Sequence, residues 1–255
     1  MMRASGAIGI LFCYLYAVKS NMAANVEIQA FAAIEDKSYF DDFDLEDEDM
    51  SSFLRVVDDV EENYRRNPQN YTLFSGGAVG SDLYWQKIGA KFGIQTKAFS
   101  FEGHGSGNNS ARVILFQQQL QQADAFLHKA NKTLKRNFPT SKTFVDNLLR
   151  RNWYQVKDTS AVFGVGRICY RRSIVEGGTG WAVQMAIDSK KPVYVFDVLN
   201  STWQQFDYRK NRFLVCEVPR LALKFTGIGT RSLTENGRKA IKDVFENTFG
   251  KSYCQ

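Results

Sequence analysis

Histidine is scarce in this sequence. Only His104 and His128 occur in 255 residues, which excludes a histidine-rich metal centre. The four cysteines, Cys13, Cys169, Cys216 and Cys254, lie far apart, with no CxxC pair and no Cys/His grouping at zinc-ligand spacing. No metal site is therefore expected, and no cofactor is called for. Thiols this scattered fit a reduced, cytoplasmic protein better than a disulfide scaffold. No apolar run reaches the roughly 20 residues of a membrane-spanning helix, so no membrane span is expected. Internal repeats and Pro- or Gly/Ser-rich linkers are also missing. What is present is 44% hydrophobic and 14% aromatic residues, enough for one α/β core or two small domains without a staple.

The net charge of +6 is unevenly spread. Residues 1–70 hold 6 Lys/Arg against 14 Asp/Glu, a net of −8, and residues 71–255 hold 27 against 13, a net of +14. A body at +14 concentrates anions around it. A nucleotide-type small molecule, a nucleic acid or the chain's own acidic arm all satisfy that field. Homo-oligomerisation is left open.

Residues 6–18 form an uncharged run after Arg3, too short to cross a bilayer but as long as the core of a signal peptide. A cytoplasmic protein is the expectation. Secretion with residues 1–24 as a signal peptide is the alternative, and Met22 is a second candidate start. Acid dominates residues 40–62, and the block at 41–49 reads as solvated and flexible. Phe53, Leu54, Val56, Val57, Val60 and Tyr64 then fit one apolar helix face, capped by Ser51 or Ser52 and ended by Asn67-Pro68. The expected division is therefore 1–67, a leader and acidic segment ending in a helix, and 68–250, the folded body.

In the body, residues 71–74, 96–101, 161–165, 193–196 and 223–226 read as strands. Residues 83–92, 148–156 and 181–188 read as helices, with a last helix capped by Thr234 and running to about Phe249. This alternation predicts an α/β fold, a Rossmann-like three-layer arrangement with a mostly parallel sheet.

Three strand–glycine–helix junctions recur. The first is Ser75-Gly76-Gly77-Ala78-Val79-Gly80-Ser81-Asp82, the second Gly177-Gly178-Thr179-Gly180-Trp181, and the third Gly227-Ile228-Gly229-Thr230-Arg231. Glycines allow close backbone approach, and the following helix offers unpaired N–H groups and a positive dipole end. Such turns lie at the carboxyl ends of parallel strands, so all three are expected in one crevice. Thr179 adds a hydroxyl, Arg231 a bidentate donor and Trp181 a stacking face. Asp82 suits the helix dipole or a cap.

These segments resemble the LOG/DprA-like Rossmann superfamily (SLOG). Residues 71–85 are similar to its strand and glycine turn. Ser160-Ala161-Val162-Phe163 followed by 176–180 looks like its "ADAFI…PGGxGT" segment, and 191–196 resembles the strand after it. Gly227-Ile228-Gly229-Thr230-Arg231 is similar to the "GxGSR" turn that normally opens the family, yet here it comes last. The resemblance thus implies a circularly permuted LOG-like topology over roughly 71–249, with poorly matched insertions at 103–144 and 167–175. It implies nucleotide or nucleotide-derived phosphate binding at the glycine turns. Two alternatives follow from it: nucleoside 5′-monophosphate phosphoribohydrolase or N-glycosidic transferase activity, and DprA-like nucleic-acid binding. The family's arginine falls on Arg151 and its glutamate on Gln184, an amide that can hydrogen-bond but cannot act as a general base.

The remaining polar residues are read from the sequence alone. Arg150 and Arg151 also fit a solvated basic face, and His104 a solvated loop. Lys129, Lys132, Lys135, Arg136 and Lys142, with Arg167, Arg171 and Arg172, form two basic clusters able to follow a phosphate backbone or to remain solvated.

Overall fold

The computed structural model describes residues 47–105 and 111–251. The expected leader at 1–24 and the acidic residues up to Glu46 lie outside the described residues. Helix α1, Asp47–Arg66, starts earlier than the Ser51 or Ser52 cap, since acidic residues suit a helix's first turn. Arg65 and Arg66 close its last turn on Glu61 and Glu62, at 2.6 and 2.5 Å. The chain divides into two units between Asp59 and Val60, inside this helix.

The α/β body follows. It contains β1 (Thr72–Ser75), α2 (Ser81–Lys91), β2 (Gln95–Phe101), β3 (Arg112–Leu115), α3 (Gln117–Gln122), α4 (Asp124–Leu134) and α5 (Thr143–Val156). Next come β4 (Ala161–Gly166), β5 (Ile168–Cys169), β6 (Ile174–Val175), α6 (Thr179–Asp188) and β7 (Val193–Asp197). It ends with β8 (Thr202–Asp207), β9 (Arg212–Val215), β10 (Lys224–Gly229) and α7 (Glu235–Phe249).

Eight strands form one sheet in the order β3-β2-β1-β10-β4-β7-β8-β9. The first six are parallel, and β8 and β9 add an antiparallel hairpin at one edge. The fold is thus Rossmann-like, with three layers. The last strand of the chain, β10, sits in the centre, between β1 and β4. On one side of it the chain winds toward β3 and on the other toward β7. The strand order therefore reverses around β10, and a crevice opens at the carboxyl ends of such neighbours.

Alternation along the strands supplies both faces. Leu73, Phe163, Val165 and Phe225 point to α2 and α7, where Trp85, Ile241 and Phe245 complete a buried cluster. On the opposite face, Val162, Val193, Val195 and Ile228 meet Val156, Ala182, Val183 and Ala186. Thr234 caps α7 as expected, its side chain accepting from the Gly237 amide at 3.2 Å.

One local expectation needs correction, and three further elements add to the sequence reading. Gly227 and Gly229 belong to strand β10 rather than to a turn, which begins at Thr230. The described residues of the poorly matched insertion at 103–144 include β3, α3 and α4, and the insertion at 167–175 holds the β5–β6 hairpin. The β8–β9 hairpin was not read as strands because its sequence, with Gln204, Gln205 and Asp207, is too polar for a buried run.

Candidate functional site

A cleft of about 1020 Å³ opens at the carboxyl ends of β10 and β4. Its walls include Ala78 and Asp82 from the first turn, Gly177, Gly178, Thr179 and Trp181 from the second, and Gly229, Thr230 and Arg231 from the third. All three junctions therefore meet in one place, although the first contributes Ala78 and Asp82 rather than its glycines. A further wall is the α5 face carrying Leu148, Arg151, Asn152 and Gln155.

The first turn is closed. Ser75, Gly76 and Gly77 are buried. The Ser75 hydroxyl donates to the Asp82 carbonyl at 3.4 Å. Gly76 gives its carbonyl to Arg151, whose guanidinium occupies the space that a Cβ at 76 would need. Asp82 is 5% exposed, and its carboxylate accepts from the Gly229 amide at 3.2 Å and from the amides of Ala78 and Gly76. The donors that would cradle a phosphate there already hold the chain's own anion. Burial raises the Asp82 carboxyl above its usual range, while Arg151 and the three amides pull against that shift. Ser81 is likewise engaged, its amide and hydroxyl both donating to the Thr230 carbonyl, at 3.0 and 2.9 Å. Gly80, at φ 102°, backs directly onto the Thr230–Arg231 backbone.

The second turn is open. Gly177 and Gly178 are exposed, and a Cβ at either would meet nothing within 4 Å. Gly177 takes φ 66°, the left-handed conformation that carries the chain from β6 into α6. Among the described residues, the Gly178 and Thr179 amides find no acceptor, so the first turn of α6 aims free donors at the cleft. Arg136, which also lines the cleft, fixes the loop by donating to the carbonyls of Gly177 at 2.7 Å and Val175 at 2.8 Å. Gly180 is buried against the Val175 carbonyl. Trp181 borders the cleft but is 4% exposed and packs on Phe138 at 5.9 Å.

In the third segment Gly227 faces away from the cleft. A Cβ there would lie 2.6 Å from the Trp85 ring, so this glycine lets α2 approach β10. It is a packing glycine, not a ligand contact. Gly229 lines the cleft and also admits the Ser81 side chain. Arg231 is exposed at the cleft wall.

Arg151 is 5% exposed and stands in the cleft, not on a solvated face; burial lowers its guanidinium and Asp82 opposes that. Its Nε has no hydrogen-bond partner. Arg150, next to it, is a structural anchor held by both carboxylate oxygens of Asp124, at 2.6 and 2.9 Å. His104 is 8% exposed rather than solvated, with Nδ1 3.0 Å from Ser100 Oγ. Burial, with the nearby positive charges of Arg151, Arg112 and Arg231, lowers its imidazole to about 4.

Gln184 is not among the cleft walls. It is buried, and its amide donates to Asp188 within α6 at 2.9 Å. The basic clusters are partly consumed as well. Arg172 donates to the Thr133 and Leu134 carbonyls at the end of α4, and Lys129 to the Asp188 carbonyl at 3.0 Å. Arg167 remains at the rim beside Glu176, 3.5 Å away, and both line the cleft.

Sequence reading missed Asn152, Gln155, Glu176 and the anchoring role of Arg136. A signal existed for the first two: polar residues at 151, 152 and 155 interrupt a helix face that otherwise packs on the sheet. No helix among the described residues is long and apolar enough to cross a membrane, and none of their His, Cys, Asp and Glu side chains form a metal-holding group. Comparisons with protein-family models, curated proteins and solved structures give no match for this chain.

Proposed function

We propose that the cleft binds a nucleotide or nucleotide-derived phosphate, with the anionic group at the N-terminus of α6. The observation that carries this reading is the pairing of free Gly178 and Thr179 amides with buried Arg151, whose Nε is an unmet donor in the same cleft. Oriented amides and a helix dipole favour an anion at such a turn, and arginine adds charge-assisted bonds. The strand-order reversal at β10 supports the location.

Of the three glycine junctions, the second is the one with donors to spare. The resemblance to LOG-like proteins agrees with a phosphate there. The acid–base position it assigned to Gln184 is turned to Asp188, so the proposal is of a binding site. A thermal-shift screen of the full chain against nucleotides, cyclic nucleotides, ADP-ribose and NAD tests it. A ligand at 100 times its dissociation constant adds about 2.7 kcal/mol. Stabilisation that disappears in Arg151→Met is expected; a flat screen would sink the reading.

A further inference from the structure

A chain of amide groups runs along α5 from the second glycine turn into the cleft. The Gly178 carbonyl can only accept, so the Asn152 atom facing it, at 3.4 Å, is Nδ2. Asn152 Oδ1 is thereby turned to Gln155, which must answer with Nε2, at 3.1 Å. The atom left over, Gln155 Oε1, is an acceptor by elimination. It has no hydrogen-bond partner, although Gln155 is 1% exposed and lines the cleft. A flip of this amide would set two carbonyl oxygens against each other, so the orphan cannot be relieved locally. The backbone is held too, because buried Thr226 of β10 donates its hydroxyl to the Gln155 carbonyl. One helical turn earlier, Arg151 Nε is an orphan donor. Residues four apart share a helix face, so two side chains that each carry a buried, unmet polar atom line the same cleft.

We propose that Gln155 Oε1 is the specificity-determining acceptor of the cleft, and that the ligand carries a hydrogen-bond donor beside its anionic group. Two sources supply that chemistry, a sugar hydroxyl and the exocyclic amine of a base. The inference rests on the anion-binding reading above and adds the class of ligand: a phosphate ester with a donor-bearing sugar or base, in preference to a bare anion. A hydroxyl or an amine can donate to Gln155 Oε1. A bare sulfate has only acceptors and leaves the glutamine unmet.

Calorimetric titration of the full chain tests this, with sulfate, AMP, 2′-deoxy-AMP, 3′-deoxy-AMP and inosine 5′-monophosphate as probes. Gln155→Met, of similar volume, should weaken AMP about tenfold, as expected for one hydrogen bond to a buried group, and leave sulfate unchanged. The analogue on which the variant no longer has an effect identifies the donor: a deoxy form for a hydroxyl, the inosine form for the amine. Gln155→Glu sets an oxygen against Asn152 Oδ1 and adds a negative charge, and should weaken both AMP and sulfate. These ratios are read on folded molecules, so partial unfolding cannot imitate them. A Gln155→Met penalty that is equal for sulfate and AMP, absent from both, or retained in all three analogues overturns the inference while leaving the anion site in place. If wild-type protein binds none of the probes, the anion-binding reading falls, and this inference with it.

Discussion

The first and second glycine turns look alike in sequence and behave differently in space. Ser75–Asp82 runs from a strand into a helix through three glycines, and so does the stretch from Gly177 to Trp181. Yet the first turn is filled by its own anion, because Asp82 on α2 folds back onto the amides of Gly76, Ala78 and Gly229. The second has no carboxylate in the first turn of its helix, so its donors stay free. A glycine turn is thus a potential anion cradle only when the first turn of the next helix lacks an acid to occupy it. Where the acid is present, the same geometry becomes a structural joint, here tying β1, β10 and α2 together beneath the cleft.

That contrast predicts where substitutions should cost stability and where they should cost binding. The largest effect is expected at the closed turn. Asp82→Ala leaves three amides and buried Arg151 without their acceptor and counter-charge, a loss of about 3–4 kcal/mol by urea unfolding. A loss below about 1 kcal/mol would remove the account of turn one as a joint.

Next is Gly227→Ala, whose new methyl would press on Trp85 at 2.6 Å and on Leu73 at 2.9 Å. Overpacking of this kind costs about 2–3 kcal/mol. A shift in tryptophan emission should accompany it, since strand and helix must part. A variant as stable as wild type would contradict the close packing of Trp85 and Leu73 on this glycine.

A smaller effect is expected from His104. Its folded-state imidazole lies at about 4, below the ordinary 6.5. The unfolded chain therefore takes up a proton near pH 6.5 that the folded protein refuses until about pH 4. The stability this neutral imidazole contributes is complete above pH 6.5, is lost as pH falls through that window, and changes no further below it. After allowance for solvent screening the loss is about 1–2 kcal/mol. Denaturation curves at pH 7 and pH 4.5 for wild type and His104→Asn should differ by that amount. Parallel pH profiles would contradict the assignment.

The smallest stability change should fall at the open turn. Gly178 has a helical φ of −62° and open space where a Cβ would stand, so Gly178→Ala should alter unfolding by less than about 0.5 kcal/mol. Under the proposed anion site, the methyl would stand in the way of the ligand. Nucleotide affinity, measured by titration, should fall about tenfold. Lost stability with intact binding would reverse the comparison between the two turns.

Much of the architecture is legible in the sequence. The apolar runs at 71–74, 161–165 and 193–196 announced buried parallel strands, because only a strand covered on both faces tolerates such continuous hydrophobicity. Thr234 announced the start of α7. Arg151 was legible only through the family resemblance, since Arg150 and Arg151 are chemically alike in sequence. A rotation of one residue around α5 directs one to Asp124 and the other to Gly76. Strands β3 and β9 escaped because each is a four-residue, partly exposed edge strand, too short to stand out as an apolar run.

By itself the sequence determined the local vocabulary: which segments are strands or helices, where glycine relieves the backbone, and which half of the chain is basic. Such features follow from steric freedom, hydrophobic period and charge within a few residues. Only the tertiary structure decided their use. Gly227 admits Trp85, Arg136 pins the second turn, Gln184 turns to Asp188, and Gln155, a cleft-lining residue, is left with an unmet buried acceptor. Gly227 with Trp85 and Arg136 with Val175 join partners tens of residues apart, whereas Gln184 and Gln155 are settled by which side of their own helix is packed inward, and neither kind of outcome can be read from a few neighbouring residues.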